Sequence, residues 1–130
     1  MIAIDTNLVV RFITADDADQ YARVQAVFAC ETVWLSRTVM LETEWILRST
    51  YRYERRQVIA ALLALAGMTG IALESPHQIA QAIDWCDKGM DFADAMHLAA
   101  SSHCDAFITF DRALIAGASR SNIGPPVREP

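Results

Sequence analysis

Four carboxylates stand where a chain could hold a metal ion. Asp5 closes the apolar run Met1 to Ile4, and Asp111 follows the run Ala106 to Thr109. Glu42 and Asp94 fall near the starts of segments with helical apolar spacing. Close carboxylates raise one another's pKa and resist joint ionisation, so a grouping of this kind calls for a neutralising cation. Mg²⁺ fits best, since it takes oxygen ligands in octahedral geometry and keeps several waters. Zinc is not signalled, because His77, His97 and His103 form no ligand spacing and the three cysteines show no C-x-x-C pair. The chemistry open to such a site is phosphodiester hydrolysis, in which the cation acidifies a water and offsets charge growing on the phosphoryl oxygens. Asp5 and Asp94 are expected as principal ligands. Glu42 and Asp111 are expected to bind directly, through waters, or at a second ion about 3.5 to 4 Å away.

Two of these positions have a rival nearby. Glu42 and Glu44 lie about 200° apart on a helix, so only one can face a shared crevice. Asp91 and Asp94 share a helix-end face, so one could cap the helix while the other binds metal; Asp94 is the expected ligand and Asp91 the cap.

The elements that must position these groups can be read from apolar spacing. Met1 to Ile4 predicts a buried parallel strand, followed by a turn at Asp5-Thr6-Asn7 and an apolar segment from Leu8 to Ile13. Asp16, Asp17 and Asp19 crowd the expected start of a helix reaching about Ala29, where acids favour the dipole. Thr32 to Leu35 predicts a second strand, and Ser36 or Thr38 can cap the helix that carries Glu42. A second helix with Val58, Ile59, Leu62, Leu63 and Leu65 on its stripe completes a helical hairpin. Ile71 to Leu73 is a short third strand. Ser75-Pro76 then opens a helix from about His77 to Lys88, stopped by Gly89. A helix is expected from Asp91 to His103, a buried strand over Ala106 to Thr109, and a short helix near Ala113 to Ala118. The tail from Gly124 to Val127 can add a last strand. This alternation predicts an α/β domain with a central, mainly parallel β-sheet and helices on both faces, with sites beyond the strands' C-terminal ends. All four acids would then share one crevice.

Composition narrows the classes. The 130 residues, 53% hydrophobic, match one domain able to bury a core without disulfides. Three separated cysteines point to a reducing, cytoplasmic setting. The apolar stretch Ile59 to Ala66 falls short of the roughly 18 to 20 residues of a membrane span, so no membrane role is expected. A net charge of -5 argues against holding nucleic acid by bulk attraction, so such a partner must be gripped locally. All but one of the eleven basic residues are arginine, which suits planar contacts to carboxylate or phosphate.

The stretches Ile2 to Asn7, Leu41 to Arg48, Asp91 to Ala95 and Thr109 to Asp111 resemble, in order and spacing, the four acidic motifs of PIN domains. The resemblance covers essentially the whole chain and selects Glu42 over Glu44. It implies Asp5, Glu42, Asp94 and Asp111 as the acidic site, with Thr6, Asn7 and Thr109 as supporting polar groups. Compact PIN domains of this kind resemble VapC toxins. That likeness implies an RNA-cleaving enzyme using Mg²⁺ or Mn²⁺, a homodimer, and inhibition by a VapB-type antitoxin.

Each residue also has a plainer reading. Asp5 and Asp111 could merely end a strand and cap a helix, and Asp91 serves as cap or outer support of the site. Arg48, Arg52, Arg55 and Arg56 suit a solvated face or local ion pairs as well as RNA, which leaves Arg112, beside Asp111, as the better substrate contact. Trp34, Trp45 and Trp85 are expected in the core or a dimer interface, and the cysteines are expected to be structural. Two other functions compete: a PIN-fold module that binds RNA or protein without catalysis, and a receiver-type phosphoacceptor. The receiver wants a lysine beyond its last strand, whereas Lys88 ends a helix. A haloacid-dehalogenase-like phosphatase is set aside because Asn7 stands where its second aspartate belongs.

Overall fold

The computed structural model describes residues 1–121 and 124–130, which form two compact units, Met1–Pro76 and His77–Pro130. In the first, β1 (Ile2–Ala3) ends where Asp5 takes an extended backbone, φ -82° and ψ 159°, and caps α1 (Thr6–Thr14). The expected turn at Asp5-Thr6-Asn7 is therefore a helix start. A carboxylate at an N-terminus accepts an otherwise unpartnered N–H and favours the helix over a loop. Asp17 caps α2 (Ala18–Cys30) by accepting from the Gln20 amide at 2.9 Å.

After β2 (Val33–Leu35), the Ser36 hydroxyl accepts from the Val39 amide at 3.1 Å and starts α3 (Arg37–Ser49). A capping box between Glu54 and Gln57 starts α4 (Arg55–Ala66), and β3 (Ile71–Leu73) follows. β2 lies between β1 and β3, parallel to both, with Ile2 opposite Val33 and Leu35 opposite Leu73. Parallel neighbours need long crossovers, and the helix pairs α1–α2 and α3–α4 supply them.

The central strand carries the burial: Val33 and Leu35 have no exposed surface. β1 is an edge strand and its Ile2 is exposed, unlike the buried strand expected. α1 packs on α2 and α3, and α3 packs on α4, with Val9, Met40, Leu47 and Leu62 fully buried. In α4 the stripe Val58, Ile59, Leu62 and Leu65 is buried, whereas Leu63 is exposed, about 100° round from Leu62.

α5 (Pro76–Asp87) starts on the last residue of the first unit and runs into the second. Gly89, at φ 111°, makes the sharp turn that follows, a conformation L side chains rarely adopt. Asp91 then caps α6 (Phe92–Ala100), which stops three residues before His103. At that end the Ser101 hydroxyl donates to the His97 carbonyl at 2.7 Å, beside the Ser101 amide at 3.1 Å. β4 (Phe107–Ile108) and β5 (Val127–Arg128) pair in parallel, joined through α7 (Arg112–Ser121), which packs on β5. The strand expected to be buried over Ala106 to Thr109 is shorter, and its Ile108 is exposed.

The class is α/β, with every strand pair parallel and seven helices among the described residues. The strands are paired as a sheet of three and a sheet of two. Among the described residues, no helix is long and apolar enough to cross a membrane.

Candidate active site

Within Met1–Pro76, Asp5 is exposed, and its Oδ1 accepts from the Thr6 amide at 2.7 Å while Thr6 itself is buried. The cap fixes the carboxylate at the C-terminal end of β1, where parallel-sheet sites gather. Asn7 lines a cavity of about 450 Å³ with Leu8, Arg11, Gln20, Arg23, Val24 and Val27. On α3 the competition between the two glutamates is resolved by the helix itself. Glu42 is exposed, whereas Glu44 is only 7% exposed and accepts from Arg48 Nε at 2.9 Å. Glu44 is thus held in a salt bridge and Glu42 is left facing water. Between them, the Thr43 hydroxyl is fully buried and has no hydrogen-bond partner among the described residues.

Within His77–Pro130, Asp91, Asp94 and Asp111 line one cavity of about 510 Å³. Asp91 Oδ1 accepts from the Asp94 amide at 3.1 Å, which makes it the cap of α6 and leaves the Asp94 carboxylate one turn in, half-buried. Asp111 is held from both sides: its amide donates to the Thr109 hydroxyl at 3.0 Å, and its Oδ1 accepts from the Leu114 amide at 3.0 Å. Thr109 thus holds the backbone of the acid through its hydroxyl. Burial pushes the Asp94 carboxyl above its ordinary value, and the negative charges of Asp91 and Asp111 push it further, with His97 opposing. The Asp94 carboxylate has no hydrogen-bond or ion-pair partner among the described residues.

This arrangement is costly without a counter-charge, and its donors are all hard oxygens, so the residues fit a divalent cation such as Mg²⁺. Among the described residues, no group of three or more His, Cys, Asp or Glu side chains is arranged to hold a metal ion by itself. Mg²⁺ commonly keeps several waters and is held by only one or two carboxylates, so a closed protein cage is not needed.

Arg112 does not face this cavity. Its Nε donates to Glu129 at 3.3 Å, and it lines a separate cavity with Ile115, Ser119 and Arg128. One residue beyond Asp111 on a helix is about 100° round the axis, so adjacency in sequence misdirects. The cation that does line the acid cavity, with Lys88, is Arg120. Its signal was its place on the side of α7 that carries Ala113 and Gly117, seven and three residues before it. Of the tryptophans, Trp85 is buried and lines the acid cavity, whereas Trp45 is 57% exposed and lies outside the core. All three cysteines are free, with Cys86 buried and Cys30 and Cys104 exposed.

A family model described as PIN domain matches residues 2–118. No curated protein and no solved structure matches the chain.

Proposed function

The chain belongs to the PIN-domain family, and from that premise we propose that it is a Mg²⁺- or Mn²⁺-dependent endoribonuclease. The proposed metal-site acids are Asp5, Glu42, Asp94 and Asp111, with Thr6, Asn7, Asp91 and Thr109 in support. The observation that carries the reading is Asp94, a half-buried carboxylate raised by its burial and by Asp91 and Asp111, with no partner among the described residues. PIN domains are generally nucleases of this metal-dependent kind. The match runs across both compact units, which supports reading residues 1–130 as one PIN-like domain.

Bound Mg²⁺ or Mn²⁺ would neutralise the acids and supply an acidified water for attack on the phosphodiester. The chain's own residues prepare that chemistry. Asp91 spends an oxygen on the α6 cap, which fixes the turn carrying Asp94. Thr109 and the Leu114 amide hold Asp111 in one orientation. Thr6 N–H does the same for Asp5, and the Glu44–Arg48 pair keeps Glu44 from competing with Glu42. Acids held in place this way need little reorganisation when the metal arrives.

A cytoplasmic toxin role follows from the VapC resemblance: a homodimer that cleaves RNA and is silenced by a VapB-type antitoxin. Its support is the ordered motif set within a chain of this length. The rival reading is a non-catalytic RNA- or protein-binding module that keeps the fold without the metal chemistry.

The test is cleavage of a structured RNA panel with Mg²⁺, with Mn²⁺ and with EDTA, alongside Asp5→Asn and a metal titration by calorimetry. Metal-dependent cleavage lost in the folded variant is expected. A chain that binds no metal is the binding module.

A further inference from the structure

Each end of α7 brings a different charge to the same cavity. Asp111 holds the N-terminal end, and Arg120, nine residues on, lines the C-terminal end of the cavity that Asp91 and Asp94 also line. At about 1.5 Å per residue the two stand about 13 Å apart along the axis, and both line that one cavity. It makes no ion pair with them among the described residues. The other cation on this wall, Lys88, donates to Asp84 at 2.8 Å and is occupied. Between the two ends, Gly117 leaves the wall bare: a Cβ added there meets nothing within 4 Å. Glycine in a helix interior costs about 0.5 to 1 kcal/mol relative to alanine, and nothing packs against this one that would require it. The cavity therefore has an acidic end, an uncovered floor and a cationic end.

A polyanion approaching three carboxylates needs a cation of the protein's own, because the chain's net charge of -5 offers no bulk attraction. On these grounds, and resting on the endoribonuclease reading, we propose that Arg120 binds an RNA phosphate flanking the scissile one, with the backbone lying over Gly117. The guanidinium presents a planar fork suited to two phosphate oxygens. Its distance from the acids along the helix assigns it a neighbouring phosphate. It therefore acts on substrate binding and leaves the chemical step to the acids.

The experiment uses the full chain and a single-stranded oligoribonucleotide that it cleaves. Arg120→Gln is expected to raise KM about tenfold, as loss of a charged hydrogen bond does, with kcat nearly unchanged. The slope of log affinity against log salt should fall by about 0.7, the value of one phosphate contact on a single strand. Arg120→Lys should recover part of the affinity, and Gly117→Leu should raise KM without changing the salt slope. Arg128→Gln removes the same charge from an exposed residue that lines the other cavity and should change neither quantity. Unchanged KM and slope in a folded Arg120→Gln chain would overturn the proposal, and so would an equal effect from Arg128→Gln, which would mean bulk charge alone. If the unaltered chain cleaves no RNA with metal present, the nuclease reading itself falls; if it cleaves and Arg120→Gln matches it, only this inference does.

Discussion

Asp94→Asn should make the metal-free protein more stable and the metal-loaded protein less so. An acid whose pKa is raised in the folded state keeps its proton longer there. Stability therefore falls as pH rises from the ordinary value of 3.8 through the raised folded value, and stays reduced above it. At neutral pH the ionised Asp94 opposes folding through burial first, then through Asp91 and Asp111, and asparagine removes all three effects with little change of shape. Bound metal reverses the sign. At a metal concentration a hundred times the dissociation constant, linkage stabilises the native chain by about 2.7 kcal/mol. Melting 130 residues as one carries an unfolding entropy of about 0.27 kcal/mol/K, so the unaltered chain should gain about 10 °C on adding Mg²⁺. The variant should start higher and gain almost nothing. Calorimetry or fluorescence melts with EDTA and with Mg²⁺, at neutral pH and near pH 3.5, give all four quantities. The difference between the two metal-free chains should vanish in the acid melt. A metal-free variant that melts lower at neutral pH would refute the account of Asp94's environment. A variant that keeps the full Mg²⁺ shift would refute its role as a ligand.

Three further outcomes follow from local geometry. Thr43→Val should stabilise the chain by about 1 kcal/mol, or about 4 °C, because it removes a buried hydroxyl without a partner among the described residues; an unchanged or lower melting temperature would show that the hydroxyl is satisfied. Ser36→Ala should cost about 1 kcal/mol by freeing the Val39 amide at the start of α3, read as a lower urea midpoint with an unchanged m-value. Asp16 accepts from Tyr51 at 2.7 Å and pairs with Arg11 at 3.0 Å, and the Tyr51 hydrogen bond leads in holding its carboxyl below the ordinary value. A depressed acid stabilises the fold above 3.8 and loses that contribution as pH falls through the folded value, so Asp16→Asn should melt lower at neutral pH and converge with the unaltered chain in strong acid.

Much was legible without coordinates. Apolar runs ended by acids located β1 and β4, and Ser36, Asp91 and the Ser75-Pro76 pair marked helix starts, because caps and strand ends depend on a few adjacent residues. The order of Asp5, Glu42, Asp94 and Asp111 carried the family, which the match over residues 2–118 shows. Adjacency served less well wherever a helix turns side chains away from their sequence neighbours. Arg112 stands beside Asp111 in sequence, yet it pairs with Glu129, while Arg120 lines the acid cavity from more than two turns away. β1 and β4 were expected to be buried, but edge position and burial are set by what a strand pairs with, which its own residues do not encode. The sequence by itself determined the local devices: strand-ending acids, helix caps and the alternation of apolar segments, all short-range consequences of side-chain chemistry. Only the tertiary structure decided which acids share a cavity, which glutamate of α3 is tied to an arginine, and which arginine faces the acids, because those depend on the packing of residues distant in the chain.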